Sequence, residues 1–104
     1  EFILSDLLQN GKRMIRLGRD AENDVVLKES LTSYVSRYHF TLETDKDGIS
    51  WYIRDGQWRM DQKQWMPSTN GTYLGPTMLG TERTKLNVGD VITVGDIKIL
   101  IGTI

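Results

Sequence analysis

Phe40-Thr41-Leu42-Glu43-Thr44-Asp45-Lys46-Asp47-Gly48-Ile49-Ser50-Trp51-Tyr52-Ile53-Arg54 decides the fold class. Phe40 to Thr44 alternates, the period of a strand with one buried face. Asp45-Lys46-Asp47-Gly48 supplies turn residues, and Ile49 to Arg54 returns as a second strand. Working outward, Val25-Val26-Leu27 is a short β-branched run, and Met14-Ile15-Arg16-Leu17 stops at Gly18. Before it, Asn10-Gly11 is a strong hairpin signal, because both residues tolerate positive φ. Phe2 to Leu8 reads as the first strand, although the spacing from Leu4 to Leu8 also fits one helical turn too short to stand alone. Near the end, Val91-Ile92-Thr93-Val94 and Ile97-Lys98-Ile99-Leu100-Ile101 flank a Gly95-Asp96 turn. Many short strands with regular turns predict an all-β chain, a sandwich or a barrel.

Composition limits what such a chain can do. Its 104 residues fit one domain with a single core. There is no cysteine, which excludes disulfides and thiol chemistry. No apolar run reaches the ~20 residues of a membrane-spanning helix, and no signal peptide is legible. Position 1 is Glu, so residues 1–104 read as a processed chain or one domain cut from a longer protein. Thirteen basic residues are interspersed among fourteen acidic ones for a net charge of −1, which argues against a nucleic-acid surface.

The chemistry falls on loops. Gly18-Arg19, Ser36-Arg37-Tyr38-His39 and Ser68-Thr69-Asn70-Gly71-Thr72 place hydroxyl, amide and guanidinium groups at strand ends. Arg19 offers a rigid fork of donors that matches phosphate oxygens in pairs. Gly18 permits a sharp turn and a close approach of neighbouring backbone. Ser36 either donates its hydroxyl to an anion or satisfies its own backbone in a turn. Asn70 carries acceptor and donors enough to fix an extended peptide. Asn70-Gly71 also fits a plain hairpin turn, and Asn70-Gly71-Thr72 is an N-glycosylation sequon, a use that would block any pocket here.

In this order, with β-like segments between them, the three segments resemble the forkhead-associated (FHA) family of phosphothreonine-peptide binding domains. Leu86-Asn87-Val88-Gly89-Asp90-Val91-Ile92-Thr93-Val94-Gly95 matches that family's closing pattern, so the resemblance runs from about Ile15 to Ile101. It implies a β-sandwich of two antiparallel sheets with binding loops at one end. It makes Arg19 the main phosphate ligand, Ser36 the second and Arg37 a further charge-assisted contact, with Thr69 on the phosphate or the ligand's methyl group. Asn70 then holds the peptide main chain. Gly18, His39, Gly71 and Thr72 support the site: His39 bonds nearby backbone, Gly71 supplies positive φ and Thr72 bonds within the domain.

Three departures from the family pattern stand out. Residues 28–34 make a longer connection, Gly75-Pro76 replaces the usual Asn-Gly, and Gln57 to Pro67 is an insertion. Within it, Trp58 and Trp65 are placed to pair across a hairpin turning near Asp61-Gln62-Lys63, with Arg59 and Gln64 on the other face. Either both rings pack onto the sandwich, or the hairpin extends the binding face.

The expected function is therefore a monomeric phosphothreonine-dependent binding module, cytoplasmic or nuclear, with a phosphorylated protein or peptide as partner. A phosphate-independent interaction module on the same fold is the alternative. No catalytic residue, metal ligand or cofactor is expected. Ser36 with His39 lacks the glycine pattern of a nucleophile elbow, and one histidine with scattered carboxylates gives no ligand spacing.

Overall fold

The computed structural model describes residues 2–3, 14–27, 35–45, 50–95 and 97–103. The anticipated Asn10-Gly11 turn, the Leu4 to Leu8 stretch, the long connection at 28–34 and the tip of the Asp45 to Gly48 turn lie outside them. Among the described residues there are twelve strands: β1 (Phe2–Ile3), β2 (Met14–Gly18), β3 (Val25–Val26), β4 (Phe40–Thr44), β5 (Trp51–Asp55), β6 (Gln57–Arg59), β7 (Gln64–Met66), β8 (Tyr73–Leu74), β9 (Thr77–Met78), β10 (Thr84–Lys85), β11 (Val91–Val94) and β12 (Ile97–Thr103). One sheet has the order β1-β12-β11-β8-β9 and the other β10-β5-β4-β2-β3, while β6 and β7 form a separate ribbon.

Alternation makes the sandwich. Ile15 and Leu17 of β2, Phe40 and Leu42 of β4, and Trp51 and Ile53 of β5 point inward from one sheet. Ile92 and Val94 of β11 with Ile99 and Ile101 of β12 meet them from the other. Alternate residues of these five central strands are thus removed from water, the arrangement of two packed sheets. The sheets are antiparallel, as expected, except for one pair at an edge of each. β1 runs parallel to β12 with Phe2 opposite Ile101, and β3 runs parallel to the end of β2 with Leu17 opposite Val25. The chain between Gly18 and Val25 folds back on itself, and Leu27 N–H returns to Gly18 O at 2.8 Å. The first and last strands are neighbours.

Three strand ends converge at one end of the sandwich. Leu17 of β2 lies opposite Phe40 of β4, and Phe40 lies opposite Asp55 of β5. The finish of β2, the start of β4 and the finish of β5 therefore share one rim. The opposite rim is closed differently: Thr44 Oγ1 donates to Ser50 O, and the bonded Arg83 guanidinium holds the Asp45 carboxyl below its ordinary pKa.

Ile53 is fully buried between the sheets. Its truncation to alanine is expected to lower stability by about 2–5 kcal/mol in urea denaturation, since the packed walls cannot close the cavity.

Candidate functional site

The rim collects the loops that the sequence singled out. Gly18 ends β2 so close to the next loop that a Cβ there would lie 2.3 Å from Arg37 O. Its φ is not positive, so close approach, rather than a sharp turn, is what requires glycine. That proximity lets Arg19 N–H bond Ser36 O at 3.1 Å and Asp20 N–H bond Arg37 O at 3.0 Å. The Arg19 side chain is held by Nε donating to Val35 O at 3.1 Å. The edge carrying its two Nη groups has no bond among the described residues, so a paired set of donors faces outward. Arg37 is exposed beside it.

His39 ties this loop to the next. Its ring is fully buried. Ser36 N–H donates to Nδ1 at 2.9 Å, and Nε2 stands 2.8 Å from Gly71 O. An amide N–H can only donate and a carbonyl can only accept, so Nδ1 is bare and Nε2 carries the proton. The imidazole is neutral and bridges residues 36 and 71. Above it, Thr69 N–H donates to Ser36 Oγ at 3.0 Å. That bond occupies a lone pair of the hydroxyl and leaves its proton to be donated elsewhere.

The Ser68 to Thr72 loop is shaped by the Asp55 carboxylate at the end of β5. Asp55 Oδ1 accepts from Ser68 Oγ and Thr72 Oγ1, both at 2.6 Å, and Oδ2 accepts from Ser68 N–H at 3.1 Å. Ser68 Oγ in turn accepts from Gly71 N–H, and Gly71 has φ +89°. Thr72 is fully buried with its hydroxyl committed to Asp55, while Thr69 and Asn70 stand exposed at the loop's crest. A second buried layer backs the first. Gln57 Nε2 donates to Leu17 O and Asn23 Oδ1, and Asn23 Nδ2 donates to Asp20 O and Arg37 O. Buried amides and carboxylates stabilise a structure only when satisfied in this way.

The inserted segment forms the expected hairpin. Trp58 lies opposite Trp65 and Arg59 opposite Gln64. Trp65 bonds Asp55 O through Nε1 and stacks beneath Arg54. Trp58 stays about half exposed, so only one of the two rings packs onto the sandwich. The hairpin's other face turns toward the loops. A cleft of about 550 Å³ is lined on one side by Arg19, Ser36, Arg37 and Tyr38, and on another by Arg59, Asp61 and Gln62. Thr69 and Asn70 close it. Of the nine anticipated residues, Arg19, Ser36, Arg37, Thr69 and Asn70 line this cleft, and Gly18, His39, Gly71 and Thr72 lie behind or beneath it. Asn23, Asp55, Gln57 and Arg59 were not singled out as site residues. For Asp55 a signal existed: the inward alternation of Trp51 and Ile53 continues to it, putting a carboxylate on the buried face. Among the described residues no group of three or more His, Asp or Glu is placed to hold a metal. No helix among them is long and apolar enough to cross a membrane.

Comparison with known proteins agrees with this architecture. A family model described as FHA domain matches residues 15–95. A search of curated protein sequences returns no significant match. Among solved structures, the N-terminal FHA domain of S. cerevisiae Rad53p in complex with a phosphothreonine peptide is 26% identical with a TM-score of 0.61, over 92% of this chain and 69% of that one. Mycobacterium tuberculosis EmbR in complex with a low-affinity phosphopeptide is 27% identical with a TM-score of 0.62, over 83% of this chain. Rad53 residues 1–466 in complex with AMP-PNP are 30% identical with a TM-score of 0.63, over 84% of this chain. The chain spans 20% of that Rad53 chain and 18% of EmbR.

His39→Ala strands the Ser36 N–H and the Gly71 carbonyl. A buried polar group left unpaired costs about 1–3 kcal/mol. A loss of about 2–4 kcal/mol by chemical denaturation is expected, and an unchanged unfolding midpoint would show that the ring holds nothing.

Proposed function

The chain belongs to the forkhead-associated (FHA) domain family, and from that premise we propose that it is a phosphothreonine-dependent reader of peptide segments. The carrying observation is the pairing of Arg19 with Ser36 in one cleft. The Arg19 guanidinium is oriented by its own Nε bond and keeps its Nη edge for a ligand. Ser36 Oγ accepts from Thr69 N–H and keeps its own proton to donate. A dianionic phosphate offers three acceptor oxygens and no donor, and two or three charge-assisted bonds at about 1.5–3 kcal/mol each make binding depend on it. Arg37 adds charge nearby, and Asn70 is the group for the peptide main chain. The phosphothreonine peptide bound by the Rad53p domain and the phosphopeptide bound by EmbR support the same reading.

The reading is of a binding module and not an enzyme. Both nitrogens of His39 are engaged by backbone, so the ring does not serve Ser36 Oγ as a base. The module acts as a monomer on a phosphorylated protein, with no nucleic acid involved. Threonine is distinguished from serine by its methyl group. Burial of one methyl supplies ~0.8 kcal/mol, about fourfold, and shape constraint on the bound residue supplies the rest.

A phosphothreonine peptide library, with unphosphorylated and phosphoserine versions as controls, tests the proposal. Wild-type protein is expected to retain only phosphothreonine peptides. Arg19→Ala should weaken a selected peptide by about a hundredfold in calorimetry without lowering the melting temperature, and Arg19→Lys should recover little, because a point charge does not reproduce the fork. Ser36→Ala and Asn70→Ala should each weaken it by about tenfold. Equal affinity for the dephosphorylated peptide would assign the cleft to phosphate-independent binding instead.

A further inference from the structure

The Gln57 to Pro67 hairpin brings a third arginine to the cleft. Arg59 sits at the end of β6, where alternation turns it away from the Trp58 and Trp65 face and toward the loops. Its guanidinium carbon lies 3.5 Å from the centroid of Tyr38, a residue between Arg37 and His39. Stacking uses the flat face of a guanidinium and leaves its in-plane N–H groups for acceptors. Arg59 is thus clamped to the same loop that carries Ser36, at a fixed place relative to it. Its ion-pair partner comes from its own hairpin: Asp61 Oδ1 is 3.3 Å from Arg59 Nε, and the Asp61 side chain is 62% exposed. Glu22, which accepts from Tyr38 OH at 3.3 Å, adds a second negative charge nearby. A carboxylate held as loosely as that of Asp61 is readily replaced by another, since exposed ion pairs are worth little.

Resting on the reading of the cleft as a phosphothreonine site, we infer that Arg59 is a specificity residue that selects peptides with an aspartate or glutamate flanking the phosphothreonine on the hairpin side. Arg19 and Ser36 serve the phosphate at one end of the cleft. Arg59 faces the continuation of the same peptide, and the acceptor it fits is a carboxylate. Asp61 acts as a stand-in for that carboxylate. A peptide acid must displace it, whereas a neutral or basic flank gains nothing from Arg59 and leaves the internal pair in place. The family's shared phosphate ligands cannot make this distinction, because it arises from an inserted element.

The test is calorimetric titration with peptides of one sequence around a phosphothreonine, placing Asp, Glu, Ala or Lys in turn at each flanking position. Wild-type protein is expected to favour Asp or Glu over Ala by about fivefold at one position, an effect that shrinks as salt is raised. Arg59→Gln should abolish that preference while binding of the Ala peptide stays within about twofold of wild type, which also shows that the variant is folded. Asp61→Asn, which removes the competing carboxylate and leaves Arg59 in place, should strengthen the acidic peptide more than the Ala peptide. Retention of the acidic preference in Arg59→Gln, or no acidic preference in wild type, overturns the assignment of Arg59. Failure of wild type to bind any phosphothreonine peptide overturns instead the reading of the cleft on which it rests.

Discussion

A single neutral imidazole holds the binding end of this domain together. His39 accepts a hydrogen bond from Ser36 N–H on one nitrogen and donates one to Gly71 O from the other. The two loops so joined carry Ser36 and Arg37 on one side and Thr69 and Asn70 on the other, with no strand pairing between them. Full burial of the ring keeps water from competing for either bond, so each is stronger than it would be at the surface. The same two bonds account for the histidine's position three residues after the serine. It closes the loop by receiving the serine's own amide, and the sole histidine of the chain is thereby occupied with structure.

Around it, polar groups are buried only where each has a partner. Asp55 is placed by β5 on the inward face of the sheet, at the rim rather than in the apolar middle. There it gathers two hydroxyls and an amide from Ser68 and Thr72. Gln57, past the positive-φ bend at Gly56, reaches Asn23 behind the first loop. The sandwich supplies a rigid rim, and these carboxylate and amide contacts fix how the loops leave it. If Arg19 and Ser36 serve a phosphate as proposed, their donors are already oriented and little loop entropy remains to be lost on binding.

Much of this was legible in the chain itself. Alternation in Phe40 to Thr44 and Trp51 to Ile53, the terminal Val-Ile runs and the turn residues between them gave the sandwich, because burial on one face of a strand leaves a period of two. The loop motifs gave Arg19, Ser36, Thr69 and Asn70, since their chemistry and order are specific in combination. The parallel edge pairs were not legible, because two-residue strands such as Phe2–Ile3 and Val25–Val26 carry no periodic signal of direction. Asn23 and Gln57 were missed for a different reason: their value lies in a contact across 34 positions of sequence, which neither residue announces locally. The cross-strand pairing of Trp58 with Trp65 was anticipated. That Trp58 remains half exposed while Arg59 turns into the cleft depends on where the sandwich wall stands.

The central claim is that ligand binding is confined to the rim organised by His39. It is tested most directly by following the backbone amide resonances of the whole domain while a phosphothreonine peptide is titrated in. The account predicts that the largest shifts fall on Arg19, Ser36 to Tyr38, Arg59 to Gln62, and Thr69 to Gly71, with Asp45 and Ser50 at the far rim unmoved. Shifts concentrated instead along the groove of about 560 Å³ that runs past Leu74, Met78 and Arg83 would contradict it.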